Sequence, residues 1–288
     1  MKFGVVLPSG EMLDRSSIRG LIRMAEDLGY DSLWQTTHTA IPVRFTSRYP
    51  YSPDGRPSWD ATADWRDPFV SLGFAAAATE RIRLGTAVIP LINTHPLTLA
   101  KQAATVDVLS NGRFELGIGA GWLVEEGQAL GHPTDHRSDR LEEAVSILRQ
   151  AWSRQTFSHN GRFWKWPELG VNPSPLQGGR LPIWIGGQNQ RTVEIAARQS
   201  CGLLLWVVEP KTVADYARRL RELGGNGPVG AAMRLNTTPG SWLELCGEFR
   251  KAGADMLILL GHARETLTES FEAFAKHVLT RAGSLDSG

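Results

Sequence analysis

The chain has 288 residues, of which 42% are hydrophobic and 21% are charged, and its formal net charge is +1. This composition is typical of a globular protein and excludes a disordered or fibrous chain. The near balance of 31 basic and 30 acidic residues provides no strong field for binding nucleic acid or an anionic membrane surface. We therefore expect a protein that acts on small molecules.

The amino-terminal segment and the cysteines indicate the cellular compartment of the protein. MKFGVVLP carries one basic residue and an apolar run that Pro8 ends, which is too short for a signal peptide or a membrane span. We expect a cytoplasmic protein. Cys201 and Cys246 are far apart and lack metal-ligand spacing, so we expect buried thiols and neither a disulfide nor a metal site.

Eight short runs rich in Val, Ile and Leu alternate with segments of helical periodicity. Several of them, such as GLLLWVV and DMLILL, are apolar throughout, as in parallel strands covered on both faces. Eight β-then-α units favour one (β/α)8 (TIM) barrel domain over residues 1–288, because an open sheet is rarely this wide. The predicted strands are residues 3–8, 31–36, 82–89, 113–118, 182–186, 202–208, 229–235 and 255–260.

Two of the predicted helices carry amino-terminal signals. The first helix begins behind Ser16 or Ser17 as its cap and ends at Gly29. A later helix begins at a capping box formed by Asp139 and Glu142.

Two insertions interrupt the alternation. Residues 39–66, after the second strand, are too long for a plain connection and too aromatic for a solvated linker, so we expect them to form a lid over a ligand. Residues 155–181, before the fifth strand, contain HNGRFWKW, in which Asn160 and Gly161 predict a hairpin turn.

In a β/α barrel the active site lies at the carboxyl ends of the strands. Among the residues there, His38 is the natural proton donor because imidazole suits neutral pH, and a structural role at the barrel rim is the alternative. Trp59 and Trp122 are candidate walls of a substrate site for a flat ring. The other strand-end residues are Pro8, Ser9, Thr37, Ala87 to Pro90, Gly119 to Gly121, Gly186 to Asn189, Trp206 to Glu209, Asn236, Gly261 and His262.

The run PIWIGGQNQRT predicts a strand that delivers Gly186 and Gly187 to a helix beginning near Asn189. Glycines let backbone amides approach a ligand, and the free amides at a helix amino end bind phosphate. A plain tight turn is the alternative.

Two further motifs are similar to functional motifs but are not interpreted as such. The run GIGAGW lacks the third glycine of a dinucleotide fingerprint and has no clear acidic ribose partner, which argues against NAD. Glu125 and Glu126 are interpreted as the polar face of a short helix in preference to general acids.

Together these runs resemble the luciferase-like flavin and deazaflavin enzymes, especially the branch that depends on coenzyme F420. The resemblance rests on AEDLGYDSLWQTTH, RIRLGTAVIPLINTHPLTLAKQAATVDVLSNGRFELGIGAGW, DRLEEAVSILRQAW, and NPSPLQ followed by PIWIGG. It implies a commonly dimeric barrel whose cofactor ring lies on a non-prolyl cis peptide, here Ala87–Val88. It also places the cofactor phosphate at the fifth strand. The implied cofactor-binding residues are His38, Ala87, Val88, Gly119, Gly121, Gly186, Gly187, Gln188 and Asn189.

Two departures from the family pattern bear on the chemistry. Many relatives end the second strand with Asp-His, whereas this chain has Thr37 and His38. Some F420-dependent dehydrogenases place a catalytic Glu after the fourth-strand glycines, where this chain has Trp122. The resemblance therefore favours a reductase or another hydride-transfer enzyme with a large organic substrate.

Three functions remain open at this stage. The first is hydride transfer between F420 and an organic substrate, with His38 near the ring. The second is a two-component monooxygenase that uses reduced FMN and oxygen, with a separate cofactor reductase as a partner. The third is a non-catalytic ligand-binding barrel. Cofactor binding and oxygen consumption distinguish the three.

Overall fold

The computed structural model describes residues 1–9, 13–235, 239–261 and 264–281. Two of the strand-end candidates, Asn236 and His262, lie outside the described residues.

Eight parallel strands form the closed barrel that the sequence predicts. The strands in chain order are β1 (Lys2–Val6), β2 (Ser32–Gln35), β3 (Arg83–Thr86), β4 (Ile89–Pro90), β5 (Phe114–Gly119), β6 (Phe157–Asn160), β7 (Lys165–Leu169), β8 (Ile183–Gly186), β9 (Gly202–Leu205), β10 (Val229–Arg234) and β11 (Met256–Leu260). The barrel runs in the order β3-β2-β1-β11-β10-β9-β8-β5, and pairing between β3 and β5 closes it. The two-residue β4 continues β3 along β5, and β6 and β7 lie outside the barrel.

Helices cover the outer face of this barrel. Those described are α1 (Arg15–Asp27), α2 (Pro68–Ala78), α3 (Pro96–Leu109), α4 (Val124–Ala129), α5 (Arg137–Ser153), α6 (Gln190–Arg198), α7 (Pro210–Glu222), α8 (Trp242–Lys251) and α9 (Arg264–His277). Within the described part of the chain, no helix has the length and hydrophobicity that a bilayer span requires.

Both predicted helix caps are wrong in detail. Helix α1 begins at Arg15 and is capped by Asp14, whose carboxylate accepts a hydrogen bond from the Ser17 amide at 2.7 Å, so Ser16 and Ser17 lie in the first turn of the helix and not at its cap. Hydrogen bonds from Ser17 and Ser16 lower the pKa of Asp14 to about 2.

Helix α5 begins earlier than its predicted capping box. It starts at Arg137 with His136 as the amino-terminal cap, so Asp139 and Glu142 lie inside the helix. Their carboxylates instead accept hydrogen bonds from Arg191, at 2.9 and 2.6 Å. Ion pairing with a neighbouring helix therefore replaces capping as the role of these two acids.

Apolar side chains form two layers. One fills the barrel interior, where the rings of Trp34 and Trp184 meet edge to face at 6.1 Å. The other lies between the strands and the helices and includes Cys201 and Cys246, which are free and buried as the sequence predicts.

The two insertions differ in structure. Residues 39–66 contain no helix or strand and consist of turns and extended segments. The second insertion contains the predicted hairpin, formed by antiparallel β6 and β7.

Candidate functional site

A cavity of about 960 Å³ opens at the carboxyl ends of the barrel strands. All the residues proposed from the sequence to bind cofactor or substrate line it: His38, Trp59, Ala87, Val88, Gly119, Gly121, Trp122, Gly186, Gly187, Gln188 and Asn189. The other strand-end candidates divide: Thr37, Pro90, Ala120 and Trp206 line the cavity, whereas Pro8, Ser9, Ile89, Val207, Val208, Glu209 and Gly261 do not. Sequence reasoning did not select Tyr49, Tyr51 and Trp65 individually, although it marked their segment as aromatic, and they also line the cavity.

His38 lies at this cavity just after β2 and is 8% exposed. Its Nδ1 lies 2.8 Å from Oε2 of Glu126, which is on α4 and is 1% exposed. The other carboxylate oxygen, Oε1, accepts hydrogen bonds from the amides of Thr39 at 2.5 Å and Ala40 at 3.1 Å. Glu126 therefore links the end of β2 and the start of residues 39–66 to α4.

The contacts of Glu126 keep it ionised. Burial raises the pKa of this carboxyl, but hydrogen bonds from His38 and from the amides of Ala40 and Thr39 outweigh that cost, so the pKa lies below its ordinary value. A carboxylate without a proton can only accept hydrogen bonds. Both of its oxygens are therefore acceptors, one toward the imidazole and one toward the two amides.

The second nitrogen of His38 is left for a ligand. Within the described residues His38 makes no hydrogen bond through Nε2, and the residue lines the cavity. An imidazole fixed through one nitrogen can exchange a proton through the other, which suits it to general acid–base chemistry.

The interpretation of Glu126 as part of a polar helix face is wrong. Helix α4 has only six residues, and it lies beneath the start of residues 39–66. Its two acids bind loop amides: Glu126 as described, and Glu125 through the amides of Thr46 at 2.6 Å and Ser47 at 3.1 Å. No local sequence signal marks this role, because the acids lie 78 to 88 positions from the residues that they bind.

Glu125 is ionised as well. Burial raises the pKa of its carboxyl, but hydrogen bonds from Ser47 and Thr46 outweigh this effect and lower the pKa to about 2. The two acids therefore hold the first part of residues 39–66 against α4 by charge-assisted hydrogen bonds.

Aromatic rings enclose His38. We call Tyr49, Trp59, Trp65 and Trp122 the aromatic cage. The His38 ring centroid lies 4.6 Å from that of Trp59, 4.9 Å from Trp65 and 5.9 Å from Trp122. Tyr49 closes the group, with its ring 5.2 Å from Trp122 and 6.1 Å from Trp59. These rings shield most of the imidazole from solvent and provide a surface for a flat ligand.

Val88 forms the floor of the cavity. The Ala87–Val88 peptide bond is cis, as the resemblance implies. A Cβ atom placed on Gly186 would come within 2.7 Å of the Val88 side chain, and one on Gly119 within 3.1 Å. The glycines at these two strand ends therefore make room for Val88 under the cavity.

The turn after β8 leads into α6 as predicted. Asn189 caps the helix, and its side-chain oxygen accepts a hydrogen bond from the Thr192 amide at 3.0 Å. Gly187 has φ +143°, and a Cβ there would lie 2.7 Å from the Thr192 hydroxyl. The first amides of α6 have no acceptors within the helix, which is the usual setting for a phosphate.

These features fit a flavin-like cofactor. The Val88 floor and the aromatic cage offer two faces for a planar ring, and the α6 amino end offers amides for a phosphate. Within the described ranges, no group of three or more His, Cys, Asp or Glu side chains is arranged to bind a metal ion.

Comparison with known proteins assigns the family. The luciferase-like monooxygenase family matches residues 1–232. The chain belongs to this family. An uncharacterized relative from Mycobacterium tuberculosis is 34% identical over 192 residues, which cover 66% of this chain and 67% of the relative. An FMNH2-dependent dimethylsulfone monooxygenase from Pseudomonas fluorescens is 32% identical over 186 residues, which cover 63% of this chain but 45% of that protein.

Solved structures from both cofactor classes share the luciferase-like fold of this chain. The coenzyme F420-dependent tetrahydromethanopterin reductase from Methanopyrus kandleri has a TM-score of 0.76 at 16% identity, covering 97% of this chain and 99% of that one. An FMN complex of the oxygenating constituent of 3,6-diketocamphane monooxygenase from Pseudomonas putida has a TM-score of 0.75 at 16% identity, covering 98% of each chain. At this identity the likeness shows the fold alone. The family membership makes this chain a luciferase-like oxidoreductase with a flavin or deazaflavin cofactor.

Proposed function

We propose that this enzyme is an F420-dependent reductase that adds a hydride and a proton across a double bond of an organic substrate. The observation that carries the proposal is the His38–Glu126 pair, because Glu126 engages Nδ1 of a histidine that lines the cavity at the strand ends. When bound, the reduced deazaflavin supplies the hydride.

The chain supplies binding, orientation and the proton. Protonated His38 donates a proton to the substrate from Nε2. The neutral ring that remains keeps its proton on Nδ1 and donates a hydrogen bond from there to Glu126. The aromatic cage orients the substrate beside this nitrogen and keeps water away from it. In this role His38 replaces the acid that some dehydrogenases of the family place where Trp122 stands.

The proposed ring and phosphate contacts follow the sequence assignment. Ala87, Val88, Gly119 and Gly121 would hold the ring. The turn formed by Gly186, Gly187, Gln188 and Asn189 would hold the phosphate, since its residues lie at the α6 amino end.

The cage indicates the substrate class. Its inner surface is formed by indole and phenol rings, and Glu126 is covered by His38 and by loop amides. A planar, largely apolar molecule with one polar double bond would bury its faces against Trp59 and Trp122 and direct its polar atom to His38. The proposed enzyme is a single-domain, cytoplasmic homodimer.

Monooxygenation with reduced FMN is the second candidate. The 32% identity to the FMNH2-dependent dimethylsulfone monooxygenase favours it, whereas the F420-branch sequence runs favour the deazaflavin. Both cofactors carry a phosphate, so the α6 amino end serves either. A monooxygenase of this type would need a separate reductase.

Two measurements decide between these candidates. In a fluorescence titration we expect F420 to bind at least about tenfold more tightly than FMN, a difference of about 1.4 kcal/mol. Oxygen consumption with reduced cofactor and substrate should be absent. Tighter binding of FMN together with oxygen uptake would replace the reductase by the monooxygenase.

His38→Ala tests the proton donor. Because general acid groups contribute about 100-fold or more to turnover, we expect a loss of at least that size when the variant is assayed with the cofactor shown to be bound. Near-normal turnover in a cofactor-loaded variant would reduce His38 to a structural residue of the barrel rim.

A further inference from the structure

The pair formed by His38 and Glu126 has one feature that the proposed function does not require. The carboxylate belongs to a residue 88 positions later in the chain, whereas Thr37, the direct neighbour of His38, provides none. Glu126 is 1% exposed, and all the hydrogen bonds that its carboxylate makes within the described residues go to His38 and the two residues that follow it. Burying a carboxylate costs desolvation free energy unless its partners compensate the charge. The three partners of Glu126 therefore indicate where its charge acts.

We propose that Glu126 is the positioning residue of His38 and holds the neutral imidazole in the tautomer with its proton on Nδ1. The two carboxylate oxygens have separate tasks. Oε1 accepts from the amides of Thr39 and Ala40, which fixes the carboxylate in place, and Oε2 faces Nδ1. Because the amides of Thr39 and Ala40 bond to Oε1, a carboxylate that turned away from the imidazole would also lose these two hydrogen bonds.

This arrangement determines what Nε2 can do. With Nδ1 protonated, Nε2 carries the exchangeable proton in the cationic ring and a lone pair in the neutral ring. The nitrogen that faces the cavity is therefore the one that gains and loses the proton. The inference rests on the proposed function and extends it by naming the group that restricts proton exchange to Nε2. The tautomer itself can be tested without that function.

The glutamine variant gives a sharp expectation. In Glu126→Gln the carbonyl oxygen replaces Oε1, because two backbone amides need an acceptor there, and the NH2 group replaces Oε2. That group donates to Nδ1, so the neutral ring must carry its proton on Nε2. The substitution keeps the shape of the side chain and inverts the tautomer of His38.

Glu125→Gln is the matched control. It changes the neighbouring acid on the same helix in the same way, but Glu125 contacts Thr46 and Ser47 and makes no hydrogen bond to His38. The wild-type tautomer should persist in this variant.

The experiment is 15N NMR of the full chain labelled at histidine, recorded without cofactor and at a pH where the ring is neutral. The chain has seven histidines, and the spectrum of His38→Ala assigns the signals of His38 by their loss. We expect the Nδ1–H tautomer to exceed the Nε2–H tautomer by about tenfold in the wild type and in Glu125→Gln, and the ratio to invert in Glu126→Gln.

Two outcomes would overturn the inference. One is an unchanged tautomer ratio in folded Glu126→Gln. The other is a wild-type ring with its proton on Nε2, which needs no variant and so does not depend on whether Glu126→Gln folds.

Turnover separates this inference from the proposed function. If His38 is the proton donor, Glu126→Gln should lower kcat by about 100-fold while leaving the cofactor Kd unchanged, since general acids contribute on that scale. An inverted tautomer with normal turnover would support the positioning role and contradict the role of His38 in catalysis.

Discussion

The two insertions in the barrel are both aromatic, yet they have different positions and contacts. Residues 39–66 contribute Tyr49, Tyr51, Trp59 and Trp65 to the lining of the cavity. Residues 155–181 contribute nothing to that lining, although the β6–β7 hairpin and the turn between its strands contain Phe157, Phe163, Trp164 and Trp166.

The hairpin packs on its own strands and on neighbouring helices. Trp166 stacks on His159 with ring centroids 5.0 Å apart, and the carboxylate of Glu143 on α5 accepts hydrogen bonds from His159 at 3.1 Å and from the Trp164 amide at 3.1 Å. The guanidinium of Arg140 lies 4.3 Å from the Phe163 ring centroid. These contacts stabilise the outer surface of the barrel.

The comparison indicates that the position of an insertion identifies a ligand site better than its content of aromatic residues does. Residues 39–66 leave β2 at its carboxyl end, where barrel active sites lie, and two acids of α4 hold their first part in place. The hairpin leaves the carboxyl end of α5, at the opposite end of a β/α unit. Its turn reaches back along α5 to His136 and Asp139, which line the cavity, but no hairpin residue does. We therefore expect substitutions in the first insertion to affect the substrate and those in the second to affect stability.

The largest expected contrast is between Trp59→Ala and Trp166→Ala. Removing Trp59 takes away a wall of the cage, and because burying a large apolar side chain contributes about 2 kcal/mol, the substrate KM should rise about thirtyfold. Cofactor affinity should hardly change. Removing Trp166 should leave KM unchanged and lower Tm. Steady-state kinetics and thermal denaturation of both variants provide the test.

The reverse result would contradict this contrast. If Trp59→Ala abolished cofactor binding, residues 39–66 would belong to the cofactor site and would not form a substrate lid. If Trp166→Ala raised KM, the hairpin would reach the ligand.

The sequence predicts the barrel well because its signals are local. An apolar run such as GLLLWVV encodes a covered strand by itself, and the GG that ends β8 precedes a helix whose cap, Asn189, is also local. The role of Glu126 could not be predicted in this way, because it depends on α4 meeting the start of residues 39–66 across 86 to 88 positions. Such a contact leaves no periodic pattern in the sequence.

A smaller effect is expected at the proposed phosphate site, which belongs to the barrel frame and to neither insertion. Asn189→Asp keeps an equally good helix cap but adds a negative charge beside a bound phosphate. Cofactor Kd should rise about tenfold, or about 1.4 kcal/mol, with Tm unchanged.

Asn189→Ser is the control for this variant, since serine caps the helix without a charge and should bind the cofactor normally. Equal affinities of the aspartate and serine variants would place the phosphate away from α6. The comparison requires low salt, because screening weakens a charge effect at an exposed position.

The smallest effect is a pH-dependent change in stability at the hairpin. Burial raises the pKa of Glu143, but hydrogen bonds from His159 and from the Phe163 and Trp164 amides outweigh it, so the folded-state pKa lies below 4.5. A lowered folded pKa stabilises the protein above the unfolded value, and this stabilisation is lost as pH falls through the folded value.

Glu143→Gln should therefore lower Tm by about 1.5–2 °C at neutral pH, the shift for a loss of about 1 kcal/mol in a chain of 288 residues. The Tm difference from the wild type should shrink below pH 4.5 as the wild-type carboxylate becomes protonated. Because the hairpin does not line the cavity, KM and cofactor Kd should not change. A Tm difference that stays constant as the pH falls would show that the carboxylate charge is not what holds the hairpin, and a changed KM would connect the second insertion to the site.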